Sequence, residues 1–419
     1  MKGFRPYMIH HIDLNKSLVL PEFKANNAGK YLVFWWNNIG LGQCFIKPGQ
    51  HISETDYDEH LINAIKPFIA FYTKTSLNSN EKWQCWIRIK KFDRWNKWMR
   101  NVLAEFTLST IPFTVPVSVV ICTHNRTAQL QRCLLAMRKL ECQPEEIIVV
   151  DNDPADDSTK IVVEGFEGLR YIREPKKGLD YARNAGILNS TKSILAFTDD
   201  DVIVHRLWVY RIWETFRNPD VGAMTGLIIP LMLDTEAQFI FEKHWSFNRG
   251  YVEKIYDEKY FKSALPTGPP VWEIGAGANM AFRKSIFDKT GYFNEILDVG
   301  AAGCNGDSEL WFRILSKGYS IYYNPMSVTF HEHRQDLKAL RKQLFYYMRG
   351  FTTAALVQQN QLPQADYKKH RLRQFPRYYL KLLVKDFPYN RLRVTTMLAE
   401  VCGIISGLKF YSKHHRHLL

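Results

Sequence analysis

Residues Ser193–Ile203 read SILAFTDDDVI, an apolar run that ends in three consecutive carboxylates, Asp199, Asp200 and Asp201. Acidic residues are depleted in β-strands and repel one another, so folding stability alone does not explain the cluster. It fits the carboxyl end of a buried parallel strand, where open α/β sheets bind their ligands. Carboxylates grouped there can hold a hard divalent cation and, through it, a phosphate. A solvated acidic turn after a strand is the alternative interpretation.

The segments around this run alternate between strand-like and helix-like patterns. We expect strands at Val117–Thr123, Glu146–Val150, Leu169–Ile172, Ser193–Phe197 and Ser320–Phe330, and helices at Ala128–Leu140, Asp157–Glu164 and Leu179–Asn189. This alternation predicts an α/β fold with a mostly parallel, doubly wound sheet and helices on both faces. Three of the strands end in polar loops, which predicts a nucleotide site at the carboxyl edge of the sheet. Neither a G-x-G-x-x-G motif nor a Walker lysine follows the first strand, so two common phosphate-binding devices are absent from the sequence.

Residues 1–110 differ from the alternating region and predict a small β-rich or α+β domain with an accessory role. The expected elements are strands at Lys30–Trp36, Gln43–Lys47 and Trp83–Ile89 and a helix at Tyr57–Phe71. The break at Pro112–Pro116 separates this domain from the α/β domain, to which we assign residues 111–334.

The excess positive charge lies near the end of the chain. The net charge of the 419 residues is +14, and the segment from Arg334 onwards contains 17 Lys and Arg residues against four Asp and Glu residues. Residues 335–419 mix these cations with aromatic and aliphatic residues, which predicts amphipathic helices that rest on an anionic membrane surface. A basic helical appendage packed on the α/β domain is the alternative. We expect no nucleic-acid partner, because the sequence contains no recognisable nucleic-acid-binding module.

The cysteine content indicates a reducing compartment. The seven cysteines are odd in number and form no C-x-x-C motif, so neither a disulfide framework nor a zinc site is expected. The amino-terminal residues lack the apolar core of a signal peptide. We expect no segment long and apolar enough to cross a bilayer, the nearest being Val394–Leu408. These features predict a cytoplasmic protein that is peripheral on the inner face of the cell membrane.

Six segments, in this order, resemble the motifs of family 2 glycosyltransferases with the GT-A fold, of the type that builds bacterial surface polysaccharides. They are VSVVICTHNR (Val117–Arg126), EEIIVVDND (Glu145–Asp153), KGLDYARNAGI (Lys177–Ile187), FTDDD (Phe197–Asp201), IGAGANMAFRKSIFDKTGYFNE (Ile274–Glu295) and NGDSELWFRILSKGY (Asn305–Tyr319). The resemblance extends from about Val117 to Arg334 and leaves the first 110 residues uncovered.

The resemblance implies a metal site that holds Mn²⁺ or Mg²⁺. Asp199 and Asp201 match the acids of the family's DxD motif, and Asp200 is open to either a metal or a donor role. His331, in the segment FHEHR, matches a histidine that often completes the metal shell, although a histidine is more often structural.

The resemblance also implies a catalytic base. Asp307 matches the aspartate of the family's Glu-Asp base motif, whereas Gly306 replaces the glutamate. Glu309 is the rival base. The apolar spacing that follows predicts a helix beginning near Ser308, so that Asp307 could instead serve only as its N-cap.

Further residues are expected to bind the nucleotide or the donor sugar. They are Thr123, Asn125, Arg126, Asp151, Arg183, Asp199, Asp200, Gly277 and Asn279. Two of them have simple alternatives: Arg183 as a surface arginine of its helix, and the Gly275–Gly277 segment as an ordinary loop. Trp272 and Trp311 could stack on a sugar or belong to the core.

The implied function is inverting, metal-dependent transfer of a sugar from a nucleotide-diphosphate sugar to a hydroxyl group. The acceptor would be a glycan or a lipid-linked glycan in the synthesis of cell-surface polysaccharide. A degenerate scaffold that binds glycan or nucleotide in a membrane complex is the alternative, and Gly306 is its only support in the sequence. A nucleotidyltransferase is disfavoured, because the loop CTHNRTAQ has no glycine and one basic residue.

Overall fold

Four neighbouring parallel strands end at one edge of a nine-stranded sheet in the computed structural model, which describes residues 4–23, 27–76, 81–106, 110–386 and 391–418. The strands of the described chain are β1 (Tyr7–Asp13), β2 (Gly29–Trp36), β3 (Ile39–Ile46), β4 (Thr114–Thr123), β5 (Gln143–Asn152), β6 (Leu169–Glu174), β7 (Ile194–Asp199), β8 (Val202–Val204), β9 (Val221–Pro230), β10 (Lys254–Tyr256), β11 (Met280–Arg283) and β12 (Ser320–His331). The α-helices are α1 (Glu54–Thr73), α2 (Lys82–Arg88), α3 (Phe92–Val102), α4 (Thr127–Met137), α5 (Ser158–Glu164), α6 (Leu179–Asn189), α7 (Trp208–Thr215), α8 (Glu236–His244), α9 (Glu258–Ala264), α10 (Phe287–Thr290), α11 (Gly306–Ser316), α12 (Leu337–Gln361), α13 (Tyr367–His370), α14 (Phe375–Asp386) and α15 (Arg391–Leu418).

The large sheet confirms the predicted α/β class. Its strand order is β10-β12-β9-β11-β7-β4-β5-β6, and β8 pairs with β12 outside this path. The segment β6-β5-β4-β7 is parallel, whereas β11 lies antiparallel between β7 and β9. In the register of β4, Cys122 is opposite Asp199 and Thr123 is opposite Asp151. The polar residues that follow β4, β5 and β7 therefore lie at the same edge.

The amino-terminal region is an α+β unit that packs on the large sheet. Its three strands form a sheet in the order β1-β2-β3, with β1 parallel to β2 and β2 antiparallel to β3. Leu227 and Ile229 of β9 and Val328 of β12 belong to the same apolar core as the buried residues of this unit. Since burial of apolar area is the main stabilising term in folding, the two regions depend on each other for stability.

One expected strand of this unit is wrong. Residues Lys82–Arg88 form helix α2, where the sequence predicts a strand at Trp83–Ile89. Trp83 and Ile87 are one helical turn apart, and both are buried. The short run WQCWI is rich in aromatic and β-branched residues, but the burial of this one face determines its conformation.

The carboxyl-terminal region is helical, as expected. Helices α12 and α15 lie side by side with their backbones in close approach at two glycines of α15. A Cβ atom on Gly403 would lie 2.4 Å from the Phe345 carbonyl oxygen, and one on Gly407 would lie 2.6 Å from that of Arg349. Helix α12 meets the loop before α11 in the same way, because a Cβ on Gly303 would lie 2.3 Å from the Tyr346 carbonyl oxygen. The terminal helices thus support the loop that precedes Asp307.

The sequence predicts that no segment is long and apolar enough to cross a bilayer. One helix contradicts this prediction when length and composition alone are considered. Within the described residues, Val394–His414 forms a helical segment of 21 residues whose mean hydropathy reaches 1.2. The apolar run expected from the sequence ends at Leu408 and contains Glu400. Glu400 lies inside the segment, and its carboxylate accepts hydrogen bonds from Thr396 and Tyr379.

Candidate active site

A carboxylate–carboxylate–imidazole cluster lies at the carboxyl end of β7. Strand β8, which follows the aspartates, pairs antiparallel with β12 so that Val202 is opposite His331. This pairing brings together Asp199, Asp201 and His331, whose ligand atoms all lie within 4.8 Å of one another. The structure therefore places the three residues predicted as metal ligands at one point.

The third aspartate, Asp200, has different partners. It accepts hydrogen bonds from the Thr123 hydroxyl at 2.8 Å and from Arg126 Nη1 at 2.8 Å. The same Arg126 nitrogen lies 2.9 Å from Asp201 Oδ2. These bonds occupy both oxygens of Asp200 and leave Asp199 and Asp201 as the pair that faces His331.

Burial makes the negative charge at this cluster unfavourable. It is the main cause that raises the pKa of Asp199 to about 6, and the charge of Asp201 adds to the effect. The pKa of Asp200 is raised to about 6 for the same two reasons, although Arg126 opposes the shift. A bound cation would offset the unfavourable burial of this negative charge, because an adjacent positive charge favours the charged form of a carboxylate.

The residues present fit a divalent cation. Asp201 Oδ1 is buried and has no hydrogen-bond partner, and the nearest nitrogen of His331, Nε2, lies 3.4 Å away. Burial lowers the pKa of His331 to about 3, so the imidazole is neutral and can offer a lone pair. Two carboxylates and one imidazole form a donor set that suits Mn²⁺ and also accommodates Mg²⁺.

The residues predicted to contact the nucleotide lie at the ends of β4 and β5. Asp151 is buried and accepts a hydrogen bond from the Tyr171 hydroxyl at 2.8 Å. Burial raises the pKa of Asp151, and the bond from Tyr171 opposes this shift. Asn125 adopts a left-handed backbone conformation with φ of 52° and accepts a bond from the Ala155 amide at 3.0 Å. Both residues lie at the ends of β4 and β5, at the same edge of the sheet as the aspartate cluster.

Asp307 is a partly exposed carboxylate held by two backbone amides. Its Oδ2 accepts from the Gly277 amide at 2.8 Å, and its Oδ1 accepts from the Ser308 amide at 2.6 Å. Burial raises its pKa, and the neighbouring Arg183 acts in the opposite direction. The expected N-cap position is wrong: α11 begins at Gly306, its N-cap is Asn305, and Asp307 lies in the first turn. The rival Glu309 pairs with Arg313 through both oxygens, at 2.8 Å each.

Arg183 is buried in α6, which excludes the alternative of a surface arginine. Its Nη1 lies 2.9 Å from Asp180 Oδ1 and 3.0 Å from Asp298 Oδ2. A Cβ atom on Gly277 would lie 2.3 Å from Arg183 Nη2. The glycine thus lets the loop before β11 approach the guanidinium closely.

Sequence reasoning missed Asp180 and Asp298 as parts of this charge cluster. Asp180 stands inside the quoted motif KGLDYARNAGI, three residues before Arg183 and therefore on the same helix face. That spacing was a signal for Asp180. Asp298 reaches the arginine from a loop 115 residues away in sequence, so local spacing gives no signal for it.

Asp180 also explains why residue 306 is a glycine. A Cβ atom on Gly306 would lie 1.9 Å from Asp180 Oδ2, which is buried and has no hydrogen-bond partner. The Asp180 carboxylate thus occupies the space into which a side chain at position 306 would project. A carboxylate on α6 stands beside Asp307, where the family motif usually places one at position 306 itself.

Three residues considered for sugar binding make contacts with other parts of the protein. The Asn279 side chain accepts from Trp208 Nε1 at 2.9 Å and donates to the carbonyl oxygens of Leu227 and Ser327. This pattern favours a structural role. Trp311 is fully buried. Trp272 packs edge-to-face against Phe351, with the Arg371 guanidinium over its ring.

Comparison with known proteins identifies the part of the chain that contains Asp199, Asp201 and Arg183, whereas Asp307 and His331 lie beyond the matched residues. The model of Glycosyl transferase family 2 matches residues 118–291. The chain carries a family 2 glycosyltransferase domain.

Relatives of this glycosyltransferase domain occur in bacteria and archaea. The succinoglycan biosynthesis protein ExoM of Rhizobium meliloti is 35% identical over 120 residues, which is 27% of this chain and 38% of ExoM. Glycosyltransferase AglE of Haloferax volcanii is 26% identical over 242 residues, 56% of this chain and 72% of AglE. The pre-mycofactocin glycosyltransferase of Mycobacterium tuberculosis is 25% identical over 271 residues, 62% of this chain and 53% of that protein. The chain thus spans less than two thirds of the first and third of these relatives.

A solved mannosyltransferase from Pyrobaculum calidifontis, in complex with GDP-Man and Mn²⁺, is also similar, with a TM-score of 0.44 at 17% identity. The similarity covers 74% of this chain and 93% of the mannosyltransferase. The assignment of the family does not depend on it.

The contact between Asp180 and residue 306 can be tested with a double-mutant cycle. Gly306→Ala should lower the free energy of unfolding by about 1–3 kcal/mol, because the new methyl group overlaps a carboxylate held by Arg183. In an Asp180→Ser background the same change should cost clearly less, since the shorter side chain leaves room. Urea unfolding of the four proteins measures the coupling. Effects that add within about 0.5 kcal/mol would contradict the proposed overlap.

Proposed function

We propose that this protein is an inverting, divalent-metal-dependent glycosyltransferase that moves a sugar from a nucleotide-diphosphate sugar to an acceptor hydroxyl group. The observation that carries the proposal is the convergence of Asp199, Asp201 and His331 at the carboxyl end of the parallel strands in a family 2 domain. The partly exposed Asp307, held by the Gly277 amide, supplies the second requirement, a base.

Donor binding is assigned to the residues that follow β4 and β5. Thr123, Asn125 and Asp151 would bind the nucleotide, and Arg126 is placed to meet the diphosphate, since its guanidinium already bridges Asp200 and Asp201. Asp199, Asp201 and His331 would hold Mn²⁺ or Mg²⁺, which when bound supplies positive charge to the leaving diphosphate.

Asp307 is assigned the removal of the acceptor proton. Its pKa is raised by burial, which increases its basicity relative to an exposed aspartate. The two amide donors fix its orientation, and the bond between Glu309 and Arg313 leaves Asp307 as the better candidate. A single base opposite the leaving group is the arrangement that direct displacement needs, so inversion without a covalent intermediate is proposed.

The proposed acceptor is a growing surface polysaccharide or a lipid-linked glycan. The relative ExoM is named for succinoglycan biosynthesis, which supports a polysaccharide role. The glycine at position 306, which alone favoured a degenerate scaffold, has a structural explanation in the position of Asp180. The enzymatic function is therefore preferred.

The helices α14 and α15 are proposed to rest on an anionic membrane surface. Leu398, Ile405 and Leu408 of α15 are exposed and, being seven and ten residues apart, share a helix face. Leu380 and Val384 of α14 are exposed as well. Lys381 of α14 and Lys409 and Lys413 of α15 are exposed near these apolar positions, and their charges match the negative charge of a bilayer surface. Contact with α12 through Gly403 and Gly407 favours a helix that lies at the interface over one that leaves the protein to cross the bilayer.

The role of the base predicts a specific defect in Asp307→Asn. Sugar transfer should fall by about 10²–10⁴-fold, whereas the affinity for the nucleotide-sugar should stay within about threefold, because the amide keeps the size of the side chain but loses its basicity and one of the two backbone hydrogen bonds that Asp307 accepts. Release of nucleoside diphosphate and donor titration measure the two quantities. Glu309→Gln should not change the pH profile of transfer, and full activity of Asp307→Asn would contradict the assignment.

The membrane surface can be tested by co-sedimentation with vesicles that contain phosphatidylglycerol. Replacing Leu398, Ile405 and Leu408 by Gln should weaken binding by roughly tenfold or more, since each side chain loses apolar burial. Replacing the exposed Ile161 and Leu188 of the α/β domain by Gln is the matched control and should leave binding unchanged. Equal binding of both variants would show that α15 does not contact the membrane.

A further inference from the structure

Two cationic side chains, those of Arg249 and Lys254, lie close together and are held by backbone carbonyl groups. Arg249 Nη1 donates to the carbonyl oxygen of Ser246 at 2.7 Å, and Nη2 donates to that of Trp272 at 2.9 Å. Lys254 Nζ donates to the carbonyl oxygen of Arg249 itself at 2.6 Å. Among the residues that the structure describes, no carboxylate oxygen lies within 4.0 Å of the nitrogens of either side chain.

The carbonyl oxygens fix the two side chains without neutralising their charges. Burial lowers the pKa of Arg249, and the charges of Glu273 and Asp307 act in the opposite direction. Burial also lowers the pKa of Lys254, and the adjacent charge of Arg249 adds to this effect. Two like charges in a partly buried setting favour a bound ion of opposite charge. The pair thus offers to an anion what the aspartate cluster offers to a cation.

Both side chains retain hydrogen-bond donors for a ligand. A guanidinium has five N–H groups, of which the carbonyl oxygens of Ser246 and Trp272 accept two. Arg249 Nε is buried and has no partner among the described residues, so one hydrogen on each Nη nitrogen is left. The ammonium of Lys254 keeps two of its three hydrogens. Arg249 and Lys254 are partly exposed, so the oxygens of a carboxylate or phosphate can reach these donors.

The position of the pair indicates which substrate would supply the anion. Phe247, two residues before Arg249, packs edge-to-face on His331 with ring centroids 5.2 Å apart. Trp272, whose carbonyl group holds Arg249, comes five residues before Gly277, whose amide holds Asp307. The segment around Arg249 therefore connects the proposed metal site to the loop that holds the proposed base. Since the metal site and Arg126 serve the diphosphate of the donor, an anion beside the base belongs to the acceptor.

We propose that Arg249 and Lys254 form an oxyanion site that binds an acidic group of the acceptor, either a sugar carboxylate or a phosphate. The site would select an acidic glycan or a phosphate-linked acceptor over a neutral one. This inference rests on the proposed function, because it takes Asp307 to mark the position of the acceptor hydroxyl group.

The test titrates the full chain with glucuronate, methyl phosphate and the neutral analogue glucose, by ligand-observed NMR in low-salt buffer with EDTA. One of the two anions should bind about tenfold or more tighter than glucose, and that anion identifies the acidic group. Arg249→Gln should weaken its binding by about tenfold or more, and Lys254→Gln by about 3–10-fold. Lys262→Gln removes an exposed cation of α9 that pairs with Glu258, and it should leave the affinity within about twofold.

The outcomes separate this inference from the proposed function, because the titration needs neither donor nor metal. Equal binding of the anions and glucose, or unchanged anion binding in both Arg249→Gln and Lys254→Gln, would overturn the inference alone. A loss of nucleotide-sugar affinity beyond about threefold in Arg249→Gln would assign the anion to the donor and overturn it as well. Anion binding by a chain that binds no nucleotide-sugar would contradict the proposed function and, with it, the acceptor assignment. Should Arg249→Gln fail to fold, Lys254→Gln on the edge strand β10 decides.

Discussion

The structure depends on the placement of three adjacent carboxylates at the buried end of a parallel strand. Burial raises the pKa values of Asp199 and Asp200, and the charge of Asp201 adds to both shifts. Arg126, the Thr123 hydroxyl and the His331 imidazole lie against these carboxylates. Asp200 receives the protein's own hydrogen bonds, whereas Asp201 keeps a buried oxygen without a partner. Asp199 and Asp201 thus remain the pair that faces His331, although Asp201 Oδ2 also contacts Arg126. A divalent cation at this point would favour the charged form of both carboxylates.

A second charge cluster, around Arg183, organises the neighbourhood of the proposed base. Asp180 and Asp298 contact the guanidinium, and Gly277 and Gly306 leave room for the arginine and for Asp180 respectively. A side chain at either glycine would overlap Arg183 or Asp180. Space for the donor sugar is therefore not the only explanation for a glycine at these positions. The glycine at position 306 belongs to the same arrangement, because the Asp180 carboxylate of α6 occupies the space that a side chain there would need.

Elements that depend on the local sequence pattern could be predicted, whereas contacts between segments distant in sequence could not. Continuous apolar runs and turn residues were sufficient for β4 to β7 and for α6, since these elements are determined by local pattern and burial on both faces. The strand expected at Trp83–Ile89 failed because a short aromatic run fits either conformation, and packing of Trp83 and Ile87 selects the helix. In the site, the proximity of Asp199, Asp201 and His331 was predictable from the family motifs. The contact of Asp298 with Arg183 was not, because it joins distant segments through tertiary packing.

The most direct test of the account is thermal stabilisation of the full chain by UDP-, GDP-, CMP- and dTDP-sugars, each with Mn²⁺ and with EDTA. A ligand that binds only the folded state stabilises it by about 2.7 kcal/mol at one hundred times its Kd, so the melting temperature reports affinity. The account predicts stabilisation by one nucleotide class with Mn²⁺, which is lost with EDTA and in Asp201→Asn. Stabilisation that persists under both conditions, or none by any donor, would contradict a metal-dependent nucleotide-sugar site at Asp199, Asp201 and His331.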